Sequence, residues 1–165
     1  MILIALAACP LRTGSPETEA RRALERLAAA GPSVPVAGLG ELRLGPTRLS
    51  EITLDLRGRR ARAIYRAEGE GHAFGIHVGY VGGEAAELEL GPDGWRPRPP
   101  GLLPRLSGLL SALAARGARP EAWIVRVEGE NAVVSEISRR DGGEATVRLD
   151  LSEGATGWRL APGSL

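Results

Sequence analysis

Lysine is absent from this chain of 165 residues, and all 21 basic residues are arginine. Glutamine is absent too, and Asn131 is the only asparagine. The pattern reads as the codon bias of a GC-rich genome. Arginine therefore does lysine's ordinary surface work here, and a cluster of arginines carries less meaning than usual. A single cysteine, Cys9, excludes an internal disulfide and a cysteine-built zinc site. Aromatic residues make up 4% of the chain, too few for the stacking platforms that hold sugars or single-stranded nucleic acid. The net charge of +1 supplies no bulk field toward nucleic acid, so no nucleic-acid partner is expected. No apolar stretch approaches the ~20 residues that a membrane-spanning helix needs.

What is present suits an ordinary globular protein. The length allows one domain with a real core. Helical periodicity occurs twice. Ser15 is a good N-cap, Pro16 takes the first helical position, and Glu17 and Glu19 complement the helix dipole. Ala20, Ala23, Leu24, Leu27 and Ala28 form one apolar stripe, which Gly31-Pro32 ends. A second helix starts near Leu103-Pro104, with Leu106, Leu109, Leu110, Leu113 and Ala114 as its stripe and Gly117 as its stop.

Elsewhere the period is two. Ile52, Leu54 and Leu56 alternate with Thr53, Asp55 and Arg57. A hairpin turn at Gly58-Arg59 follows. Ala61, Ala63, Tyr65 and Ala67 then alternate with Arg60, Arg62, Ile64 and Arg66. After "EGEG", Phe74, Ile76, Val78 and Tyr80 share a face, Gly82-Gly83 makes the next turn, and Ala86, Leu88 and Leu90 continue. These are signals of an antiparallel meander. The predicted fold is α+β: a curved antiparallel sheet of about eight strands with two amphipathic helices on it, in the order helix–sheet–helix–sheet.

Two segments resemble one another. Ile64, Arg66, Glu68, Gly69 and Glu70 match Ile124, Arg126, Glu128, Gly129 and Glu130, and Gly82-Gly83-Glu84-Ala85 matches Gly142-Gly143-Glu144-Ala145 at the same offset. Gly94-Trp95-Arg96 answers Gly157-Trp158-Arg159 after a short insertion. The pattern predicts an internal repeat, 63–95 against 123–158, within halves 15–100 and 101–165. Leu88 and Leu90 align with Leu149 and Leu151 only after a slip of one residue, which a β-bulge would explain. The strands from "EGENAVV" through "DGGEATVRL" to the final "GW" resemble the closing strands of NTF2-like and cystatin-like sheets. That resemblance implies a helix cradled by a curved sheet with a pocket between them, and no particular chemistry.

The start of the chain, "MILIALAACP", suggests a compartment. Leu6-Ala7-Ala8-Cys9 resembles the lipobox of bacterial lipoproteins. The resemblance implies residues 1–8 as a signal-peptide remnant, diacylglycerol on the Cys9 thiol, and residues 9–165 as the anchored body. Each buried acyl methylene contributes about 0.8 kcal/mol, so several chains anchor stably where one does not. Two other readings compete. Residues 2–7 are a first strand with Cys9 a small buried hydrophobe, or "ACPLRTGSPETEARRAL" is a strand–loop–helix that offers the amides at Gly14 and Ser15 to a phosphate.

The search for chemistry returns little. His72 and His77 lie five residues apart on a predicted strand, hence on opposite faces, and no metal site is expected of them. There is no nucleophile-elbow serine. Arg60, Arg62 and Arg66 on one strand face are candidate anion-binding residues, with Arg57 and Arg59 in the preceding turn; pairing with Glu87 and Glu89 on a neighbouring strand is the plainer role. No catalytic residues and no cofactor are expected. The expected function is a non-catalytic binding or assembly module at the cell envelope, lipid-anchored at Cys9 and facing the periplasm or cell exterior. Its partner would be the membrane and an envelope protein. One alternative is a carrier of an apolar ligand or lipid in a cavity between sheet and helices, a class that resembles the half-barrels ferrying lipidated proteins. A second is a cytosolic enzyme that uses the Gly14-Ser15 loop for a phosphate ligand, and a third is a purely structural partner in a larger complex, its sheet edge extended by another chain.

Overall fold

The computed structural model describes residues 14–163. The order of elements is α1 (Pro16–Ala29), β1 (Ser33–Val36), β2 (Gly40–Arg43), β3 (Arg48–Arg57), β4 (Arg60–Ala73), β5 (Ile76–Gly91), β6 (Gly94–Pro97), α2 (Pro104–Ala115), β7 (Ala122–Glu128), β8 (Asn131–Arg140), β9 (Gly143–Gly154) and β10 (Gly157–Leu160). This is the expected α+β class and the expected order. Both helices form where the periodicity places them. Ser15 caps α1 by accepting a hydrogen bond from the Thr18 N–H at 3.2 Å, and Gly31 leaves the helix at φ +84°.

Eight strands form one sheet, ordered β10-β9-β8-β7-β5-β4-β3, with β6 also pairing β5. β1 and β2 make a separate hairpin. The sheet is not wholly antiparallel: β7 runs parallel to the first half of β5, while β6 pairs antiparallel with the last residues of the same strand. A parallel pair needs a crossover, and α2 provides it.

Strand parity follows the alternation. Ala61, Ala63, Tyr65 and Ala67 of β4 are buried, as are Ile76, Val78, Tyr80, Ala86 and Leu88 of β5. These pack with the stripes of both helices and with Trp123, Val125, Val127, Leu149 and Leu151 in one core. The β1–β2 hairpin covers the rest of that face. Ser111 Oγ of α2 accepts from the Ala37 N–H at 2.9 Å, and Ser107 Oγ donates to the Pro35 carbonyl.

The turn expected at Gly82-Gly83 is not there. Both glycines lie inside β5, which runs for 16 residues. The turn falls at Phe74-Gly75, whose φ values of +58° and +76° are those of a type I′ hairpin. This puts Phe74 at a tip, 49% exposed, instead of on the inner face with Ile76. The glycines mark close approach rather than chain reversal. A Cβ at Gly82 would stand 2.6 Å from Val127 Cβ and 2.9 Å from the Tyr80 hydroxyl. Gly69 and Gly71, in the "EGEG" stretch, lie within β4. A Cβ there would meet Thr47 Oγ1 at 2.7 Å and the Arg43 carbonyl at 2.6 Å, where the chain leaving the β1–β2 hairpin passes over the sheet.

The constant-offset repeat dissolves for the same reason: Glu68-Gly69-Glu70 is mid-strand, whereas Gly129-Glu130 is the β7–β8 turn, and Gly82-Gly83 is mid-strand whereas Asp141-Gly142 is the β8–β9 turn.

Adjacent glycines on one strand should therefore respond differently. Gly82→Ala is expected to lower the unfolding free energy by about 1–3 kcal/mol through overpacking. Gly83→Ala points a methyl outward, nearest Arg105 Nη1 at 3.8 Å, and is expected to change it by less than about 0.5 kcal/mol. Urea titration of the two variants distinguishes them.

Candidate functional site: a buried carboxylate and an uncovered sheet face

The start of α2 has no cap of its own, whereas its end is closed by the Arg116 and Gly117 N–H groups on the Leu113 and Ala114 carbonyls. Its N-cap position is Leu103, which has no side-chain oxygen, and no acidic residue stands in its first turn. The exposed N–H groups at a helix start need acceptors. Glu84 supplies them from β5. Its Oε2 accepts from the Arg105 N–H at 3.0 Å, and its Oε1 accepts from the Leu106 N–H at 2.9 Å and from the Tyr80 hydroxyl at 2.8 Å. The Tyr65 hydroxyl donates to the Leu102 carbonyl just upstream.

Glu84 is 2% exposed. Burial pushes its carboxyl up to about 7, against the pull of the hydrogen bonds from Arg105, Leu106 and Tyr80 and of the Arg105 guanidinium. Burial, and then the neighbouring Glu84 carboxylate, raise both Tyr65 and Tyr80.

Arg105 closes the cluster from outside. Its guanidinium donates to the Gly83 carbonyl at 2.9 Å, the Gly129 carbonyl at 2.5 Å and Glu153 Oε2 at 2.8 Å, and it lies 5.3 Å from the Trp158 ring centre. At the other end of α2, Glu136 accepts from Trp123 Nε1 at 3.1 Å and pairs with Arg116 at 2.9 Å. Both buried carboxylates thus serve helix α2 and its neighbours. Glu84 thereby ties β5 to the first turn of α2, and the cluster is built as a joint.

The opposite face of the sheet carries the residues singled out from sequence. Arg60 lies between Arg57 and Glu89 across the strands, and Arg62 between Asp55 and Glu87. Arg57, Arg60, Arg62, Asp55 and Glu87 line a depression of about 270 Å³. Glu87 and Glu89 are thus the cross-strand partners of Arg62 and Arg60. Arg66 is not on this depression. Its cross-strand neighbours are Ser50 and Gly83, and four residues of strand set it about 13 Å from Arg62. Arg59 turns back and donates twice to the Leu90 carbonyl, at 3.1 and 2.8 Å.

The histidines require a correction. His72 and His77 do not lie on opposite faces. The turn at Phe74-Gly75 folds the strand between them, so they are direct cross-strand partners with ring centres 6.0 Å apart. His77 Nε2 is 3.9 Å from Glu70 Oε2. Among the described residues no group of three or more His, Cys, Asp or Glu side chains is arranged to hold a metal.

The same face has an apolar component. Ile64 is 51% and Ile124 is 42% exposed. A trough of about 440 Å³ runs past Ile124 along Gly79 and Val81, with Glu68 and Glu70 on its rim. Beneath α2 and the β1–β2 hairpin the recess among Val36, Leu42, Phe74, Val78, Leu110 and Trp123 holds about 10 Å³, at or below what one water needs; a groove of about 320 Å³ between α1 and the β5–β6 turn is lined by Glu19, Arg22, Arg26, Asp93 and Trp95.

Cys9, the Leu6-Ala7-Ala8 segment before it and residues 2–7 lie outside the described residues. The Ser15 hydroxyl is engaged with Thr18, from whose backbone N–H it accepts and whose Oγ1 is 2.9 Å away. Among the described residues no helix is long and apolar enough to cross a membrane.

Stability should titrate with Glu84. Between pH 4.5 and about 7 the folded chain keeps a proton that the unfolded chain has released. Stability is therefore expected to fall as pH rises through that window, by on the order of 3 kcal/mol from this group, and to level off above it. Glu84→Gln removes this slope. It also puts an amide donor against one of the helix-end N–H groups, at a cost of about 1–3 kcal/mol. Urea unfolding at pH 5 and pH 8 measures both effects. Comparison with known protein families, curated proteins and solved structures finds no match to this chain.

Proposed function

We propose that the protein is an envelope-associated lipoprotein whose folded body is a non-catalytic binding or assembly module, tethered through lipid on Cys9. The observation that carries the binding part is a face of the eight-stranded sheet that no element covers among the described residues. Both helices and the β1–β2 hairpin pack on one side. The other side offers exposed Ile64 and Ile124 beside the arginine-lined depression. A face of mixed apolar and charged character is what a protein partner can recognise.

The tether rests on the lipobox resemblance of Leu6-Ala7-Ala8-Cys9. Helix α1 starts at Pro16, seven residues beyond Cys9, so a lipid there would hold the body within about 25 Å of a bilayer. Such confinement raises the local concentration of envelope partners and lets a modest interface suffice. Beneath α2 and the hairpin the recess of about 10 Å³ gives an apolar ligand no ready cavity, and the groove beside α1 is lined by Glu19, Arg22, Arg26 and Asp93, so the carrier reading requires α2 and the hairpin to move apart.

The body also reads as one α-β-β-β-β unit used twice, in a different register from the one the sequence offers. α1 with β3–β6 corresponds to α2 with β7–β10, the β1–β2 hairpin being extra. The β5–β6 turn, Gly91 to Gly94, matches the β9–β10 turn, Gly154 to Gly157. In this register Leu88 corresponds to Leu151 and Ala86 to Leu149, all buried, and no bulge is required. Trp95 and Trp158 follow the two turns and are equally buried, at 7% each. Strand β6 packs on α1, and β10 on α2.

The test is the mature N-terminus. Expressed in a lipoprotein-processing bacterium, the chain is expected to yield an N-terminal peptide that begins at Cys9 with diacylglyceryl mass added, and to fractionate with membranes. Cys9→Ser is expected to abolish both. An unprocessed Met1 in the soluble fraction would refute the anchor.

A further inference from the structure

The two edges of the sheet are treated differently. Strand β3, at one edge, is interrupted by a bulge between Ser50 and Thr53, with Glu51 at φ +55°. Arg21 of α1 donates to the outward Ile52 carbonyl at 2.8 Å. Bulges and covering side chains are the usual protection of an edge. At the other edge β10 is short and covers only the last residues of β9, from Leu151 to Gly154. The Ala161 N–H then takes the Asp150 carbonyl. From there back to the Asp141-Gly142 turn, residues 143–149 of β9 have no strand on their outer side among the described residues.

The hydrogen-bonding parity of this segment is fixed. Glu153 N–H points inward to the Glu130 carbonyl, and the Asp150 carbonyl points outward to Ala161. Successive residues alternate, so Glu144, Thr146 and Arg148 turn their N–H and C=O groups to the open edge. Their side chains lie on the uncovered face of the sheet, in register with Arg139, Ile137 and Ser135 of β8. Thr146 is the midpoint of the open segment.

We propose that this edge pairs antiparallel with the same edge of a second copy of the chain, about a two-fold axis at Thr146. Charge complementarity selects that occupant. Antiparallel self-pairing centred on Thr146 sets Glu144 directly opposite Arg148 of the second copy, and Arg148 opposite its Glu144. Thr146 meets Thr146, and Val147, 47% exposed, meets Ala145. Each of the three outward-facing pairs exchanges two N–H···O=C bonds. Opposite charges and paired threonines are favourable cross-strand neighbours, and the contact is isologous, so it closes at a dimer. Arg148 already holds Asp150 through Nε at 3.1 Å and is 69% exposed, which leaves its terminal nitrogens for Glu144 of the second copy. The pairing would join two eight-stranded sheets into one continuous surface.

Sedimentation velocity on the full 165-residue chain carrying Cys9→Ser tests this, at concentrations up to roughly 100 µM. A monomer–dimer equilibrium is expected. Glu144→Arg sets like charges opposite each other at both ends of the contact and is expected to weaken dimerisation at least about tenfold. Adding Arg148→Glu to that variant restores the opposition of charges, and the dimer is expected to return. A monomer throughout, a dimer indifferent to Glu144→Arg, or a double variant that stays as weak as the single one overturns the proposal. Thr146→Cys in the same background gives a readout independent of these affinities. Mild oxidation is expected to produce a covalent dimer, because residues in such a pair sit about 5.5 Å apart at Cα. Its absence, with circular dichroism showing a folded chain, counts equally against the pairing.

Discussion

The seating of helix α2 on the sheet depends on one carboxylate. Glu84 enters the core from β5 and accepts the two N–H groups that α2 cannot satisfy for itself. An ionised group in that position costs desolvation, and only its three hydrogen bonds and the nearby Arg105 charge offset it. The compensation is why the joint is specific. A helix seated only by leucines could slide or rotate on a smooth apolar face; one whose first turn must meet a fixed carboxylate cannot. Arg105 extends the constraint, since its guanidinium ties the start of α2 to β5, to the β7–β8 turn at Gly129, and to Glu153 and Trp158. The elements before and after α2 therefore meet at its first turn.

The parts of the fold that were legible in the sequence were those set by periodicity. Both helix stripes, the proline and glycine punctuation around them, and the parity of β3 and β4 follow from side chains that must face water or core. What periodicity could not supply was the meaning of glycine. Gly58 turns the chain, as Gly does at the first position of a type II′ hairpin. Gly69, Gly71 and Gly82 do the opposite: they keep the strand straight and let another segment pass close by. A local pattern cannot separate these uses, because the neighbour that needs the space is distant in sequence. The β1–β2 hairpin is short and broken by Pro35, so it gave no signal of its own.

The same ambiguity hid the joint. A turn at Gly82-Gly83 leaves the strand face of Glu84 undefined. Had the alternation Ile76, Val78, Tyr80 been carried through to Ala86 and Leu88, it would have placed Glu84 on the inner face. A carboxylate there demands a partner, and the capless start of α2 is the partner available. The histidines were misplaced by the reciprocal error, a turn at Phe74-Gly75 read as strand. A bulky residue at positive φ is disfavoured, and nothing local to Phe74 announces it; the glycine beside it is the weaker half of the signal. The arginine row was read better. Cross-strand opposition to Glu87 and Glu89 follows from hairpin register alone, and register is fixed once one face is buried.

One-sided burial also explains how the uncovered face can be rich in charge and still hold shape. Each of its side chains stands on a strand whose other face is locked into the core, so its position is determined from behind. Arg60, Arg62, Ile64 and Ile124 need no partner of their own to stay in place. A surface built in this way can exchange its outward residues without unfolding, whereas the inward alanines of β4 are buried in the core. Variation that retunes the uncovered face is therefore cheap in stability, and variation at Glu84, Tyr80 or Gly82 is not. For the binding module proposed above, that division places adaptable residues on the outward face and confines the constraint to the side packed against the helices and the hairpin.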